Sequence, residues 1–149
     1  MRFTNRFLSC IWLGLSVAAC DDPAPFEEER QQCVDRINEL RDSIDLPPLD
    51  RWTDGEDCAD HEAAQDAATG TPHGAFPECG ESAQNECPGW DSVSSVVGGC
   101  IDMMWAEGPG EPYSEHGHYI NMTSTSYSRV ACGFYVTTSG SVWAVMNFQ

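Results

Sequence analysis

The sequence contains no lysine, and its seven basic residues are all arginines, set against 24 acidic residues. The formal net charge at pH 7 is −17. A surface of this sign repels phosphate backbones, so the composition argues against nucleic acid as a partner. A phosphate-binding loop of the Gly-x-x-x-x-Gly-Lys type is also absent, because it requires the missing lysine.

Several signatures of enzymes and metal clusters are missing as well. The sequence has no Cys-x-x-Cys pair, which argues against a zinc–thiolate cluster. It has neither a His-Glu-x-x-His motif nor a Gly-x-Ser-x-Gly motif, so no dedicated hydrolase signature is present. No apolar run reaches the 20 or so residues that a membrane-spanning helix needs.

The N-terminus has the pattern of an export signal. Arg2 and Arg6 precede an apolar run of about a dozen residues, which ends in Val17-Ala18-Ala19-Cys20. This ending resembles a bacterial lipobox, and the resemblance implies that Cys20 is lipidated and becomes the first mature residue. Ordinary secretory cleavage after one of the two alanines is the alternative.

Three segments follow from this interpretation. Residues 1–20 form the lipoprotein signal peptide, residues 21–30 an acidic linker with two prolines, and residues 31–149 one domain. Loss of the signal leaves five arginines and 24 acids, a formal charge of −19. Attached acyl chains make a stable anchor, so we expect a cell-envelope lipoprotein whose membrane partner is reached through Cys20.

Six cysteines remain in the predicted mature domain. An even number of cysteines in an exported domain of this size predicts three disulfides, although six cysteines allow fifteen pairings. The predicted disulfide cysteines are Cys33, Cys58, Cys79, Cys87, Cys100 and Cys132.

Hydrophobic periodicity predicts helices first and strands last. An apolar stripe from Cys33 to Ile44 predicts a helix that Pro47 and Pro48 end. Further helices are predicted over about 55–68 and from Val93 to the Gly108-Pro109-Gly110 stop, with a short helical turn over about 118–123. Residues 69–89 are rich in glycine and proline and predict a long loop. Residues 130–136 and 142–148 predict a β-hairpin.

The last predicted strand is apolar on nearly both faces. Such a strand needs covering on both sides, and helices are available to provide it. The predicted fold class is therefore α+β, as an α/β/α sandwich with a small antiparallel sheet stapled by disulfides.

Five short motifs follow one another in a characteristic order. They are His73 in a loop, Gly80-Glu81, Met104-Trp-Ala-Glu107, Gly117-His118-Tyr119-Ile120-Asn121, and Val130-Ala-Cys132-Gly133 with the terminal Asn147-Phe148. In this order they resemble the CAP superfamily (cysteine-rich secretory protein, antigen 5 and pathogenesis-related 1), over residues 31–148. Three departures are Ser82 for the asparagine of Gly-Glu-Asn, Ile120-Asn121 for Thr-Gln, and Met104 for a tryptophan.

The resemblance implies that His73, Glu81, Glu107 and His118 meet in a central cleft. Two neutral imidazoles are suited to hold Zn²⁺ or another divalent cation, and the two carboxylates would orient the rings or position a water. Without the family, each of the four residues has an ordinary structural role available. His116 is the main rival ligand, and His61 is predicted to be structural.

Three functions remain open at this point. The first is a non-enzymatic, lipid-anchored binding module whose cleft holds a divalent metal, a lipid, a peptide or an envelope component. The second is a metal-assisted, peptidase-like hydrolase of the cell envelope, in which Glu81 or Glu107 activates water. The third is a structural lipoprotein without an active cleft. The missing hydrolase motifs favour the binding module.

Overall fold

The structure, a computed structural model, describes residues 25–149. The predicted signal peptide, Cys20 and the first part of the linker lie outside these residues. The helices are α1 (Glu27–Asp42), α2 (Glu56–Thr69), α3 (Val93–Ser95), α4 (Ile101–Ala106) and α5 (Tyr113–Thr123), and a π-helical segment, Val96–Cys100, joins α3 to α4. The strands are β1 (Asp50–Arg51), β2 (Ala83–Trp90), β3 (Arg129–Val136) and β4 (Val142–Phe148).

The strands form one sheet in the order β1-β3-β4-β2. The predicted hairpin is confirmed as β3 and β4, which pair antiparallel from Val130↔Phe148 to Val136↔Val142. β2 is antiparallel to β4, and the two-residue β1 is parallel to β3. The sheet is therefore antiparallel except for one short edge pair.

Helices cover both faces of this sheet, as the α/β/α prediction requires. On one face, the buried side chains of Ile37, Ile101 and Met122 bring α1, α4 and α5 against Phe148 of β4. On the other face, the small alanines of α2 pack on β3 and β4. Among residues 25–149, the helices all fall short of the length and apolarity that a bilayer crossing requires.

The contact between α2 and the sheet depends on Gly133 in β3. A Cβ atom built at this position would lie 2.3 Å from the carbonyl carbon of Ala59 and 2.5 Å from the Ala59 Cβ. No side chain fits in that space, because real carbon atoms do not approach so closely. Gly133 thus allows α2 to lie directly on the strand.

All six predicted cysteines form disulfides. Cys33–Cys132 joins α1 to β3, Cys58–Cys79 joins α2 to the following loop, and Cys87–Cys100 joins β2 to the π-helical segment. Each bridge links elements that are separate in the chain, and the first spans 99 residues.

The loop predicted over residues 69–89 is too long, because β2 occupies its last third, from Ala83 onward. Pro88 and Gly89 are residues typical of loops, and Gln84, Asn85 and Glu86 are polar, so the segment lacks the pattern of a strand. The three polar residues are nevertheless buried. β2 is an edge strand with a bulge between Cys87 and Trp90, and edges and bulges are where strands tolerate proline.

Two helices begin earlier in the structure than the sequence predicts. α1 already begins at Glu27, and Arg30 is 3% exposed and donates to Asp60 of α2 at 2.6 Å. The linker boundary at residue 30 therefore falls inside α1. The short helical turn predicted from His118 is the second half of α5, which begins at Tyr113 directly after Pro112.

Candidate functional site

His73 and His118 face each other across a cleft. His73 lies in the loop after α2 with a φ of 59°, and His118 lies in the middle of α5. The centroids of the two imidazole rings are 6.4 Å apart and the ring planes differ by 28°. Both side chains are partly accessible, with 42% and 34% of their surface exposed. The structure thus brings together the two rings that were predicted to share a pocket.

Glu107 orients His118. Glu107 directly follows α4, and its Oε1 accepts from the ring Nδ1 of His118 at 2.5 Å. Its other oxygen accepts from the backbone N–H of His118 at 3.1 Å. Because the carboxylate accepts a hydrogen bond from Nδ1–H, the neutral ring is protonated at Nδ1 and its lone pair lies on Nε2.

Gln84 has the corresponding position beside His73. The Nδ1 of His73 and the Oε1 of Gln84 are 2.9 Å apart. The backbone N–H of His73 also donates to Glu86 of β2. The cleft therefore pairs one imidazole with a carboxylate and the other with a neutral carboxamide, where the family resemblance implied two carboxylates.

Glu81 lies elsewhere. One oxygen of its carboxyl group lies within 4.8 Å of a Glu62 oxygen and of the Cys79 sulfur, and neither of its oxygens forms a hydrogen bond with a cleft imidazole. The sequence contained a signal for this shift: Ala83-Gln84-Asn85 keeps the asparagine of the Gly-Glu-Asn motif, whereas Gly80-Glu81-Ser82 keeps the glycine and the glutamate but loses the asparagine. The structure thus places Gln84, and not Glu81, beside the ring of His73.

The two other histidines bond to backbone carbonyl groups. The Nδ1 of His116 lies 2.8 Å from the carbonyl oxygen of Glu107 and 2.9 Å from that of Gly108. The Nδ1 of His61 lies 2.6 Å from the carbonyl oxygen of Asp57. His116 therefore holds the segment after α4 against α5, and its ring is not among the groups that line the cleft.

Asparagine side chains fix α5 against β2. Asn85 Nδ2 donates to the carbonyl oxygen of His118 at 3.1 Å, and Asn121 Nδ2 donates to Asn85 Oδ1 at 2.9 Å. The Tyr113 hydroxyl donates to Asn121 Oδ1 at 3.1 Å. Both asparagines are buried, so these bonds hold His118 at a fixed height over the strand.

The cleft has two adjoining cavities, of about 350 Å³ and 210 Å³. Both are lined by His73, Gln84, Tyr113 and Asn121. The smaller cavity also includes His118. The larger one extends away from the rings along mixed apolar and hydroxyl groups, which are Phe76, Ser82, Ala83, Ile120, Ser124 and Tyr127.

Two pairs of buried carboxyl groups lie behind the cleft, between α2 and β2. Burial raises the pKa of Glu62 to about 7; the hydrogen bond from Asn147 opposes this shift, and the Glu81 carboxyl adds to it. Burial likewise raises the pKa of Glu86 to about 7, with a further contribution from Asp66. Both Glu81 oxygens, one oxygen of Asp66 and one of Glu86 have no hydrogen-bond donor. Each pair is therefore suited to share one proton.

Glu62, Cys79 and Glu81 also form a group that could hold a metal ion, since one ligand atom from each lies within 4.8 Å of the others. Cys79, however, is bonded to Cys58, so its sulfur is not a thiolate. The Glu62 oxygens already accept from Asn147 Nδ2, Gln84 Nε2 and the Cys79 N–H. The cleft imidazoles are better donors, because their Nε2 atoms have no such partners.

Solved structures with the same fold come from distant relatives. An outer surface protein of Borrelia burgdorferi is 17% identical, with a TM-score of 0.60 over 84% of this chain and 94% of its own. NaASP2, in a structure with Zn²⁺, is 18% identical, with a TM-score of 0.59 over 82% and 79%. Schistosoma mansoni venom allergen-like protein 4 is 12% identical, with a TM-score of 0.51 over 81% and 87%. At these identities the likeness shows the fold alone.

No curated protein matches the chain in sequence. The model of the cysteine-rich secretory protein family, CAP, matches residues 34–148. This range contains α2 to α5, the four strands and five of the six bridged cysteines; Cys33 lies one residue before it. The chain therefore belongs to the CAP family of cysteine-rich secretory proteins.

Proposed function

We propose that this protein is an exported, lipid-anchored binding module whose cleft holds a divalent metal ion between His73 and His118. The observation that carries the proposal is the hydrogen bonding of the two imidazole rings. Each Nδ1 has a hydrogen-bond acceptor, Gln84 in one case and Glu107 in the other, so both Nε2 lone pairs are free for a metal. Imidazole nitrogens are ligands that Zn²⁺ prefers.

The bound ion would act as a Lewis acid toward a polar group of a second ligand. The larger cavity beside the rings offers space for the rest of that ligand. Its aromatic and aliphatic walls suit an apolar group, and its serine hydroxyls suit a few polar contacts. A small lipid or a peptide side chain fits this description.

The geometry favours binding over hydrolysis. A metal-assisted hydrolase needs a carboxylate that is free to take a proton from water. Both oxygens of Glu107 instead accept hydrogen bonds from His118. Glu81 lies outside the cleft, and the Gln84 amide cannot act as a base. The Glu86 carboxylate lies beside His73, but on the Nδ1 side of the ring at 3.8 Å, where it accepts from the His73 backbone N–H.

A zinc titration of the full-length protein in detergent tests this function. We expect a dissociation constant in the micromolar range or below by isothermal titration calorimetry, and its loss in both His73→Ala and His118→Ala because each removes one of two ligands. His61→Ala is the matched control, since this histidine is bonded to its own helix, and it should bind zinc like the wild type. Zinc binding that survives either cleft substitution would refute the proposal.

The anchor is tested separately. We expect the mature protein to begin at Cys20 and to have a mass increased by acyl chains, because the preceding residues resemble a lipobox. Mass spectrometry of the membrane fraction would measure this, and Cys20→Ser should release the protein from membranes. Cys10→Ser is the control within the signal segment. An unmodified mature N-terminus would contradict the anchor and leave the cleft proposal intact.

A further inference from the structure

A buried chain of polar side chains leads from the cleft to α2. Glu62 Oε2 accepts from Gln84 Nε2 at 3.1 Å and from Asn147 Nδ2 at 2.5 Å. Gln84 continues the chain to the ring of His73. Glu62, Gln84 and Asn147 are 1%, 6% and 0% exposed, so water does not replace these bonds.

The donors and acceptors in this series of hydrogen bonds permit only one orientation of the Gln84 amide. Asn147 must turn its NH₂ group toward the Glu62 carboxylate, which leaves its Oδ1 facing Gln84 at 3.1 Å. The end of Gln84 that meets the two oxygens from Glu62 and Asn147 must then be its NH₂ group. A reversed amide would place three acceptor oxygens together in a buried space.

This orientation decides the proton position on His73. The end of Gln84 that faces the ring is a carbonyl oxygen, so Nδ1 of His73 must be the donor. The neutral ring is then protonated at Nδ1 and has its lone pair on Nε2. We propose that Glu62 is a positioning residue that sets the tautomer of His73 through Gln84, although it makes no hydrogen bond with either cleft imidazole. This inference rests on the proposed metal site for its functional meaning.

The tautomer can be read directly from ¹⁵N–¹H correlation spectra of the histidine rings in the full-length, metal-free protein at pH 8. We expect His73 to be protonated at Nδ1 in the wild type. In Glu62→Met the Gln84 amide is free to turn, so we expect a mixture of both tautomers and a zinc affinity reduced about 10- to 100-fold. His118 is an internal control, because Glu107 should keep it protonated at Nδ1 in both proteins.

The conservative variant Glu62→Gln should restore wild-type behaviour. Its carbonyl oxygen can accept from Gln84 and Asn147 while its NH₂ group donates to Glu81, and only the 3.3 Å bond from the Cys79 N–H is lost, so both the tautomer and the zinc affinity are expected to be retained. Gln84→Met removes the acceptor itself and should release the His73 tautomer even if Glu62→Met does not fold.

Two results would overturn the inference. One is a wild-type His73 protonated at Nε2. The other is an unchanged His73 tautomer in Gln84→Met or in folded Glu62→Met. A protein with the expected tautomer that binds no zinc would refute the proposed function and leave the role of Glu62 standing.

Discussion

Raising the pH from 5 to 8 is expected to lower the free energy of unfolding by several kcal/mol. Glu62 and Glu86 titrate near pH 7 in the folded protein, against an ordinary value of 4.5. Between these two pH values the folded state binds more protons than the unfolded state, so stability falls as pH rises. Each shift corresponds to about 3 kcal/mol, present below about pH 4.5 and lost once the pH exceeds 7.

Glu81→Gln isolates one of the two carboxyl pairs. The new NH₂ group can donate to the Glu62 carboxylate, where the wild type needs a shared proton. We expect this variant to be about 2 kcal/mol more stable than the wild type at pH 8 and to have a shallower pH dependence. Urea unfolding monitored by tryptophan fluorescence at pH 5 and pH 8 measures both effects.

Glu78→Gln is the matched control, because it removes one acid from the same loop at an exposed position. It should follow the wild-type pH profile. A wild-type stability that is constant between pH 5 and 8, or a Glu81→Gln variant destabilised equally at both values, would contradict the shared-proton interpretation.

Removal of the Cys33–Cys132 disulfide is expected to destabilise the domain by about 4–5 kcal/mol. This bridge closes a loop spanning 99 residues and joins the first helix to the sheet, so its loss frees most of the unfolded chain. The double variant Cys33→Ala, Cys132→Ala avoids a free thiol. Its free energy of unfolding at pH 5 should be compared with that of the wild type by urea titration.

Cys87→Ala, Cys100→Ala provides the comparison, since these cysteines are also buried and their separation is only 13 residues. In the chain-entropy description this loss should be about 3 kcal/mol. The prediction fails if the short-loop variant loses as much stability as the long-loop variant.

The sequence was sufficient for the fold where periodicity and covalent chemistry agree. The stripe that includes Cys33 and Ile37 predicted α1, and the alternation from Val130 predicted β3. Both patterns arise because one side of each element faces the core. The number of disulfides followed from an even cysteine count, but their pairing depends on which elements pack together, and that is a property of the whole fold.

The sequence was insufficient where buried residues are polar. β2 places Gln84, Asn85 and Glu86 in the interior, so its hydrophobic pattern is absent, and the strand was assigned to a loop. For the same reason, Glu81 was predicted to line the cleft at the position where the structure has Gln84. Buried amides and carboxyls are stable only because partners on α2, α5 and β4 bond to them, and no local pattern reveals partners that are distant in sequence.

The close approach of α2 to the sheet at Gly133 has a consequence for how the chain tolerates mutation. Any side chain at residue 133 would displace Ala59, and Glu62 lies one helical turn further along the same helix. The effect would then pass through Gln84 to the ring of His73. A substitution can therefore impair the cleft without altering any residue that lines it, and Gly133 is a position from which such a change would act through α2.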